Sequence, residues 1–205
     1  MIRIQIEDCA VDILPIVQGL VSESDKISEN YGKYEAYGLS LSVEGIEALK
    51  KRSELEDDYE VSELDLVYAQ RMTSFGEVQM PCPAFCELVD RCTNDKKGII
   101  ALDMNDEDFT TAYIENIKAT EFVKEHRMAK KGMKHRFDMS SAESFAMDWD
   151  MYVNKVKGYR KVSEIRERYI AEQIKDAAKY RNNLLVVLEI ERVNNIVNLV
   201  KAGSL

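Results

Sequence analysis

Short apolar runs alternate along this chain with segments of helical periodicity. Apolar and polar residues alternate from Ile2 to Ile6, which predicts a strand with one buried face. Apolar runs around Leu39, Ile100 and Val187 predict three further strands. Between these runs, apolar residues recur at intervals of three and four, as on amphipathic helices. The alternation predicts an α/β fold in which a central, mostly parallel sheet is flanked by helices.

Polar residues that can cap helices mark the predicted helix starts. Their side-chain oxygens can accept hydrogen bonds from first-turn amides that have no partner within the helix. Asp12 predicts a helix directly after the first strand, with Pro15 in its first turn. The charged segment from Ser53 to Glu60 predicts a linker. The other predicted caps are Ser42, Asn105 or Asp106, Ser140 in a capping box with Glu143, and Ser163.

A long stretch of predicted helices separates the last two predicted strands. We predict one α/β domain over residues 1–205, with a helical insertion over about residues 106–181. The insertion either simply covers one face of the sheet or folds over the sheet as a cap that could serve as a lid or a partner surface. Its aromatic residues predict a homodimer contact, because Trp and Tyr are enriched at interfaces, unless they fill the core of the monomer. These residues are Phe137, Phe145, Trp149, Tyr152 and Tyr159.

Composition and charge narrow the classes of function. The formal net charge of -9 argues against a nucleic-acid partner, because general binding to a phosphate backbone depends on Lys and Arg. Residues 1–6 are too short for the apolar core of a signal peptide, and no apolar run approaches the roughly 20 residues that span a bilayer. We therefore expect a cytoplasmic protein without a membrane partner.

The four cysteines are expected to be reduced thiols, since the chain shows no secretory signal. Cys82, Cys86 and Cys92 lie close together in the sequence, but no histidine is near them, and a structural zinc ion needs four ligands. We expect inert, buried thiols, no metal and no cofactor.

Candidate ligand-binding residues lie where the predicted strands end. The run from Leu184 to Leu188 closes on Glu189, Ile190, Glu191 and Arg192. Ligands of open α/β sheets bind outside the carboxyl ends of the strands. Arginines there could bind a carboxylate or phosphate, or could form a closed ion-pair network with the carboxylates. The candidate set is Ser40, Asp103, Glu189 and Arg192 at strand ends, with Arg166 contributed by the insertion.

Four segments occur in an order that is also found in a known family. Tyr37 to Leu49 is similar to a strand and helix of that family, and Ile100 to Asn105 is similar to its Leu-Ile-Asp-Arg-Asp strand end. Ser163 to Ala171 is similar to its Glu-Arg-Asp-x-Tyr-Met-Ala helix start, and Leu184 to Ile196 occupies the place of its last strand and Gly-x-Gly-His turn. In these segments the chain resembles the TraB/PrgY family, the pheromone-shutdown group related to GumN-like proteins and to Tiki-type metal-dependent proteases.

The chain departs from that family at the positions of its polar motifs. The early Gly-Thr-x-His falls on Asp8 to Val11, the acidic residue on Ser40, the arginine on Gly45, and the late histidine near Arg192. Arginine stays protonated, so it can act neither as a general base nor as a metal ligand. Asp103 and Arg166 alone remain of the pattern. The resemblance therefore implies a catalytically degenerate protein that binds a small anionic ligand or a protein partner.

Two alternatives remain open at this point. Carboxylate oxygens suit magnesium or manganese, so a hydrolase could have rebuilt a metal site from Asp103, Glu189 and Glu191. A purely structural role in an assembly is the other alternative, favoured if the insertion exposes an apolar patch.

Overall fold

The computed structural model describes residues 1–54 and 62–202 and has the predicted α/β architecture. Within these residues, five strands form one sheet: β1 (Ile2–Ile6), β2 (Cys9–Ile16), β3 (Ala36–Leu39), β4 (Ile99–Ala101) and β5 (Asn183–Glu189). Their order across the sheet is β1-β2-β5-β3-β4. Only β1 runs antiparallel to its neighbour, so the sheet is mostly parallel.

The described residues also form nine helices, most of which flank the sheet. They are α1 (Glu23–Asn30), α2 (Val43–Lys50), α3 (Glu63–Met72), α4 (Pro83–Asn94), α5 (Asp106–Asn116), α6 (Ala119–Gly132), α7 (Ala142–Val153), α8 (Lys157–Ala178) and α9 (Ile190–Ala202). None of them is both long enough and apolar enough to cross a lipid bilayer.

Strand β5 lies at the centre of the sheet and is buried on both faces. Leu184, Val186 and Leu188 pack into a core with α8 and α9. The intervening Leu185 and Val187 pack on the other face, in a core with α1, α2 and α4. The continuous apolar run in the sequence therefore reflects a strand covered by helices on both sides.

A third apolar cluster lies beyond the carboxyl end of β2 and forms a helical cap, which we define as α3, α6 and α7. Val17 and Leu20, just after β2, pack in this cluster with Phe145 and Trp149 of α7. The predicted insertion is therefore divided between two roles. Helix α8 covers a face of the sheet, whereas α6 and α7 join α3 in the cap.

Most aromatic residues of the insertion are buried within a single copy of the chain. Phe137, Phe145, Trp149 and Tyr152 are each at most 8% exposed and contact one another in the cap. This packing matches the interpretation that they fill the monomer core. A homodimer through the insertion helices stays a prediction.

The region after β1 differs from the predicted helix at Asp12. Glu7 adopts a positive φ of 49° in the turn after β1, so the chain reverses and residues 9–16 pair with β1 as the strand β2. Asp12 is a buried strand residue, bound through both oxygens to Arg3 and also to the hydroxyl of Tyr34. The sequence pattern therefore did not predict β2, because Asp12 and Pro15 are typical of a helix start. In the structure the Asp12 carboxylate is paired with Arg3 of the neighbouring strand.

Other local predictions had mixed outcomes. Ser42 and Asn105 cap α2 and α5 by accepting hydrogen bonds from the amides of Gly45 and Asp108. Ser141 caps α7 in place of the predicted Ser140. Ser163 lies inside α8, which begins six residues earlier, so its predicted capping role is wrong. The linker predicted over residues 53–60 lies largely outside the described residues.

Candidate functional site

The parallel strands bring three of the candidate residues to the same edge of the sheet. Ser40 directly follows β3, Asp103 is separated from the end of β4 by one residue, and Glu189 is the last residue of β5. All three side chains are buried. Each is already bound to protein atoms, and these contacts decide what each residue is available to do.

Asp103 and Arg166 form a shielded ion pair. The Nε and Nη2 groups of Arg166 both donate to Asp103 Oδ2, the first at 3.0 Å, and the Met104 amide donates to Oδ1 at 2.8 Å. The side chain of Arg166 is 22% exposed and that of Asp103 is 6% exposed. Burial lowers the pKa of the Arg166 guanidinium, but the hydrogen bonds and charge of Asp103 raise it more. Arg166 therefore stays charged, and Asp103 is engaged in holding it.

Ser40 and Glu189 form a second closed contact. The Ser40 hydroxyl donates to Glu189 Oε2 at 2.5 Å, and both residues are at most 7% exposed. Neither residue is among those that line the cavity described next. Their contact ties β3 to β5 behind the candidate site, so we assign both residues a supporting position.

A cavity of about 520 Å³ lies between the carboxyl edge of the sheet and the helical cap. Arg166 lines it together with Glu191 and Arg192, which follow β5. Aromatic side chains from α3, α5, α7 and α8 form much of the remaining wall: Tyr68, Phe109, Tyr113, Trp149 and Tyr159. The Arg166 guanidinium also lies over the Phe109 ring, 5.6 Å from its centroid. The cavity thus combines a large apolar wall with two arginines and four carboxylates, those of Asp65, Glu125, Asp150 and Glu191.

Arg192 is the charged group of this cavity that is least satisfied by the protein. Its Nε and Nη1 atoms are buried, yet among the described residues neither has a hydrogen-bond partner. The Oε2 atom of Glu191 is in the same state. Buried polar atoms are almost always paired, so the lack of partners for these atoms is an unusual feature of the cavity wall.

The charges around Arg192 are predominantly negative and partly neutralised by protonation. Burial and the nearby charge of Glu189 raise the pKa of Glu191 to about 7, against the opposing effect of Arg192. Burial likewise raises the pKa of Asp150 and of Glu167. Near neutral pH the cavity can therefore exchange a proton at Glu191.

This protonation predicts a pH-dependent stability. The pKa of Glu191 is about 7 in the folded state and near 4.5 ordinarily, so the folded protein retains a proton that the unfolded chain has lost between these values. The free energy of unfolding should therefore fall as the pH rises from about 4.5 to 7 and then level off. Glu191→Gln should flatten much of this slope in urea titrations, whereas exposed Glu115→Gln should retain it. A slope that is equal in both variants would contradict the assignment.

The geometry offers no set of metal ligands. Among residues 1–54 and 62–202, no three His, Cys, Asp or Glu side chains are placed to hold a metal ion. Asp103 faces Arg166, and Glu189 faces Ser40. Burial raises the pKa of Cys82 and of Cys92 to about 11, so both remain protonated thiols at neutral pH.

Sequence reasoning located charged residues of the cavity but missed its wall. Neither Tyr68 nor Asp150, which both line the cavity, was among the predicted candidate residues. The spacing of Tyr68 on α3 is the same for a core residue and for a cavity residue, because both face inward. A usable signal was the polar end of the Tyr side chain, which seldom lies in a core without a partner.

No protein-family model matches the chain, and neither a curated protein nor a solved structure is significantly similar to it. The relationship to the TraB/PrgY family therefore stays a prediction that depends on the short segments described above.

Proposed function

We propose that this protein binds a small organic anion with an apolar or aromatic body in the cavity over the carboxyl edge of the sheet. The observation that carries the proposal is the guanidinium of Arg192, which has two buried nitrogens without a protein partner at the cavity wall. A carboxylate or phosphate would supply charge-assisted hydrogen bonds to these nitrogens.

The size and wall of the cavity support this class of ligand. Its volume of about 520 Å³ lies in the usual range of small-molecule sites, which are largely apolar with a few polar groups that fix orientation. Tyr68, Trp149 and Tyr159 come from three different helices and offer flat apolar surfaces. Arg166 also lines the cavity, but its charge is balanced by Asp103, so Arg192 carries the proposed contact with the anion.

The proposal agrees with degeneracy from a TraB-like ancestor. Under that resemblance the family's late histidine falls near Arg192, and an arginine there can bind an anion but cannot exchange a proton or hold a metal. The alternative function is that of a hydrolase. In that case Glu191 would act as a general acid or base, since its pKa of about 7 suits proton transfer near neutral pH.

The decisive experiment follows ligand binding through Trp149, the only tryptophan, which lines the cavity. We would titrate the protein with phenyl phosphate, benzoate and hexanoate, and with benzyl alcohol as an uncharged comparison. Quenching should be saturable for the anions. Calorimetry on the same samples should give one site per chain.

Arg192→Gln should weaken binding of these anions by about ten- to a hundredfold, because a hydrogen bond to a charged group is worth about 1.5–3 kcal/mol. The matched control is Arg168→Gln on the exposed side of α8, where Arg168 lies near Glu164. It should bind as the unmodified protein does, and benzyl alcohol should not discriminate between the variants. Equal affinities of the two variants for the anions would reject the proposed role of Arg192.

Release of product from a peptide or ester substrate, lost in Glu191→Gln, would instead favour the hydrolase. Stoichiometric metal in the purified protein, lost together with activity in Asp103→Asn, would favour the metal-dependent form of that alternative.

A further inference from the structure

A second cavity, of about 690 Å³, lies where the end of α5 meets the starts of α6 and α8. Five cationic side chains and two carboxylates line it. The cations are Lys118, Lys124, Lys157, Arg160 and Lys161. This concentration of positive charge contrasts with the net charge of -9 for the whole chain.

Both carboxylates of this second cavity are already engaged by the protein. Glu121 is buried and accepts hydrogen bonds from the amides of Lys118 and Gly158, at 3.0 and 3.3 Å. These bonds, with the nearby charges of Lys124 and Lys118, lower the pKa of Glu121. The Oε2 atom of Glu164 lies 3.5 Å from Lys161 Nζ and 3.7 Å from Arg168 Nη2.

Four of the five cations remain without a partner. Within the described part of the chain, Lys118, Lys124, Lys157 and Arg160 make no side-chain hydrogen bond and no ion pair, and all four are exposed. They come from two segments that are about 35 residues apart in sequence, the start of α6 and the start of α8. The fold therefore gathers charges that the sequence keeps separate.

Gly158 is the residue that allows this meeting. A Cβ atom at this position would lie 2.6 Å from Glu121 Oε2 and 2.8 Å from the carbonyl oxygen of Asn116. The start of α8 can therefore touch the junction of α5 and α6 only with glycine there. Because α6 and α8 both begin at this junction, the positive ends of their dipoles add to the potential of the lysines.

We propose that this second cavity is an anion site for a compact polyphosphate, such as a triphosphate or a multiply phosphorylated small molecule. Four unpartnered cations around a concave surface suit several phosphate groups held close together. A long nucleic acid is disfavoured as occupant, since the acidic remainder of the surface would repel the part of a polymer that lies outside the cavity.

The experiment titrates the full chain with inorganic triphosphate by calorimetry at about 0.1 M salt, with orthophosphate, ATP and inositol hexakisphosphate as further probes. Triphosphate should bind at one site and should weaken as salt is raised, while orthophosphate should bind much less. An affinity for ATP equal to that for triphosphate would indicate that the natural ligand is a nucleotide. A higher affinity for inositol hexakisphosphate would indicate that it is an inositol phosphate. Both results support the proposal.

The test variant neutralises three of the unpartnered cations, and the control neutralises three exposed lysines far from α6. Triphosphate affinity should fall at least tenfold in the test variant and stay within twofold in the control. The test variant carries Lys118→Gln, Lys124→Gln and Arg160→Gln. The control carries Lys33→Gln, Lys51→Gln and Lys179→Gln.

Amide resonances provide a second measurement that does not depend on variants. Triphosphate should shift the signals of Thr120 and Gly158 in a ¹⁵N spectrum and leave those of the Arg192 cavity unchanged. Three results would overturn the proposal: shifts centred on Arg192, equal losses of affinity in the two variants, or no binding of either triphosphate or inositol hexakisphosphate. Binding of an RNA oligomer with no binding of triphosphate would also overturn it. None of these results would contradict the anion binding proposed above for the Arg192 cavity. Shifts centred on Arg192 would only show that triphosphate binds in that cavity as well.

Discussion

Asp103→Ala is expected to lower the free energy of unfolding by about 3–5 kcal/mol, which is the usual cost of removing one partner of a buried ion pair. The Arg166 guanidinium would remain charged and mostly buried, with its hydrogen bonds to Asp103 lost. The amide of Met104 would also lose its acceptor. Urea titrations followed by circular dichroism would measure the loss.

Two further variants separate this mechanism from general damage. Asp176→Ala removes the exposed partner of Lys179 and should cost at most about 1 kcal/mol, as surface ion pairs do. Adding Arg166→Met to Asp103→Ala should recover part of the lost stability, because it removes the unpaired charge. If Asp103→Ala costs no more than Asp176→Ala, the pair is not the closed contact that its burial indicates.

Phe145→Ala is expected to be about as costly, at about 3–5 kcal/mol, because it leaves a void in the cap. Phe145 is fully buried and packs against the rings of Tyr68, Phe75, Phe137 and Trp149. Met151→Ala on the same helix is the control, since Met151 is 60% exposed, and it should change stability by no more than about 0.5 kcal/mol.

The same variant tests the predicted single domain. If the cap and the sheet fold as one unit, Trp149 fluorescence and far-ultraviolet circular dichroism should report one coincident transition, shifted equally in Phe145→Ala. An earlier transition seen by Trp149 alone would show that the cap unfolds separately from the sheet. Loss of the cap would also open the anion cavity, because α3 and α7 supply part of its wall.

Local signals in the sequence were reliable where a single element decides the structure. The run from Leu184 to Leu188 predicted a fully buried strand, and burial on both faces confirms it. Ser42 and Asn105 predicted helix starts correctly, because a capping hydrogen bond spans only three residues. Such interactions need no distant partner, so the neighbouring residues determine them.

Predictions failed where a distant contact overrides local preference. The residues around Asp12 have a helix-like start, but pairing with both β1 and β5 makes them a strand. Glycine favours a helix end, yet Gly158 lies inside α8, where its lack of a side chain serves the contact of α8 with Glu121 and Asn116. In both cases the deciding partner lies many residues away in the sequence.

The candidate site shows the same division. The sequence alone determined that charged residues follow the buried strands, because the apolar runs end directly at charged positions. These residues include Asp103, Glu189, Glu191 and Arg192. Only the tertiary structure decided which of them remain available. Asp103 is occupied by Arg166 and Glu189 by Ser40, whereas Arg192 faces a cavity whose aromatic wall comes from helices far apart in the chain. Pairing and burial depend on three-dimensional neighbours, and a linear pattern of residues does not contain that information.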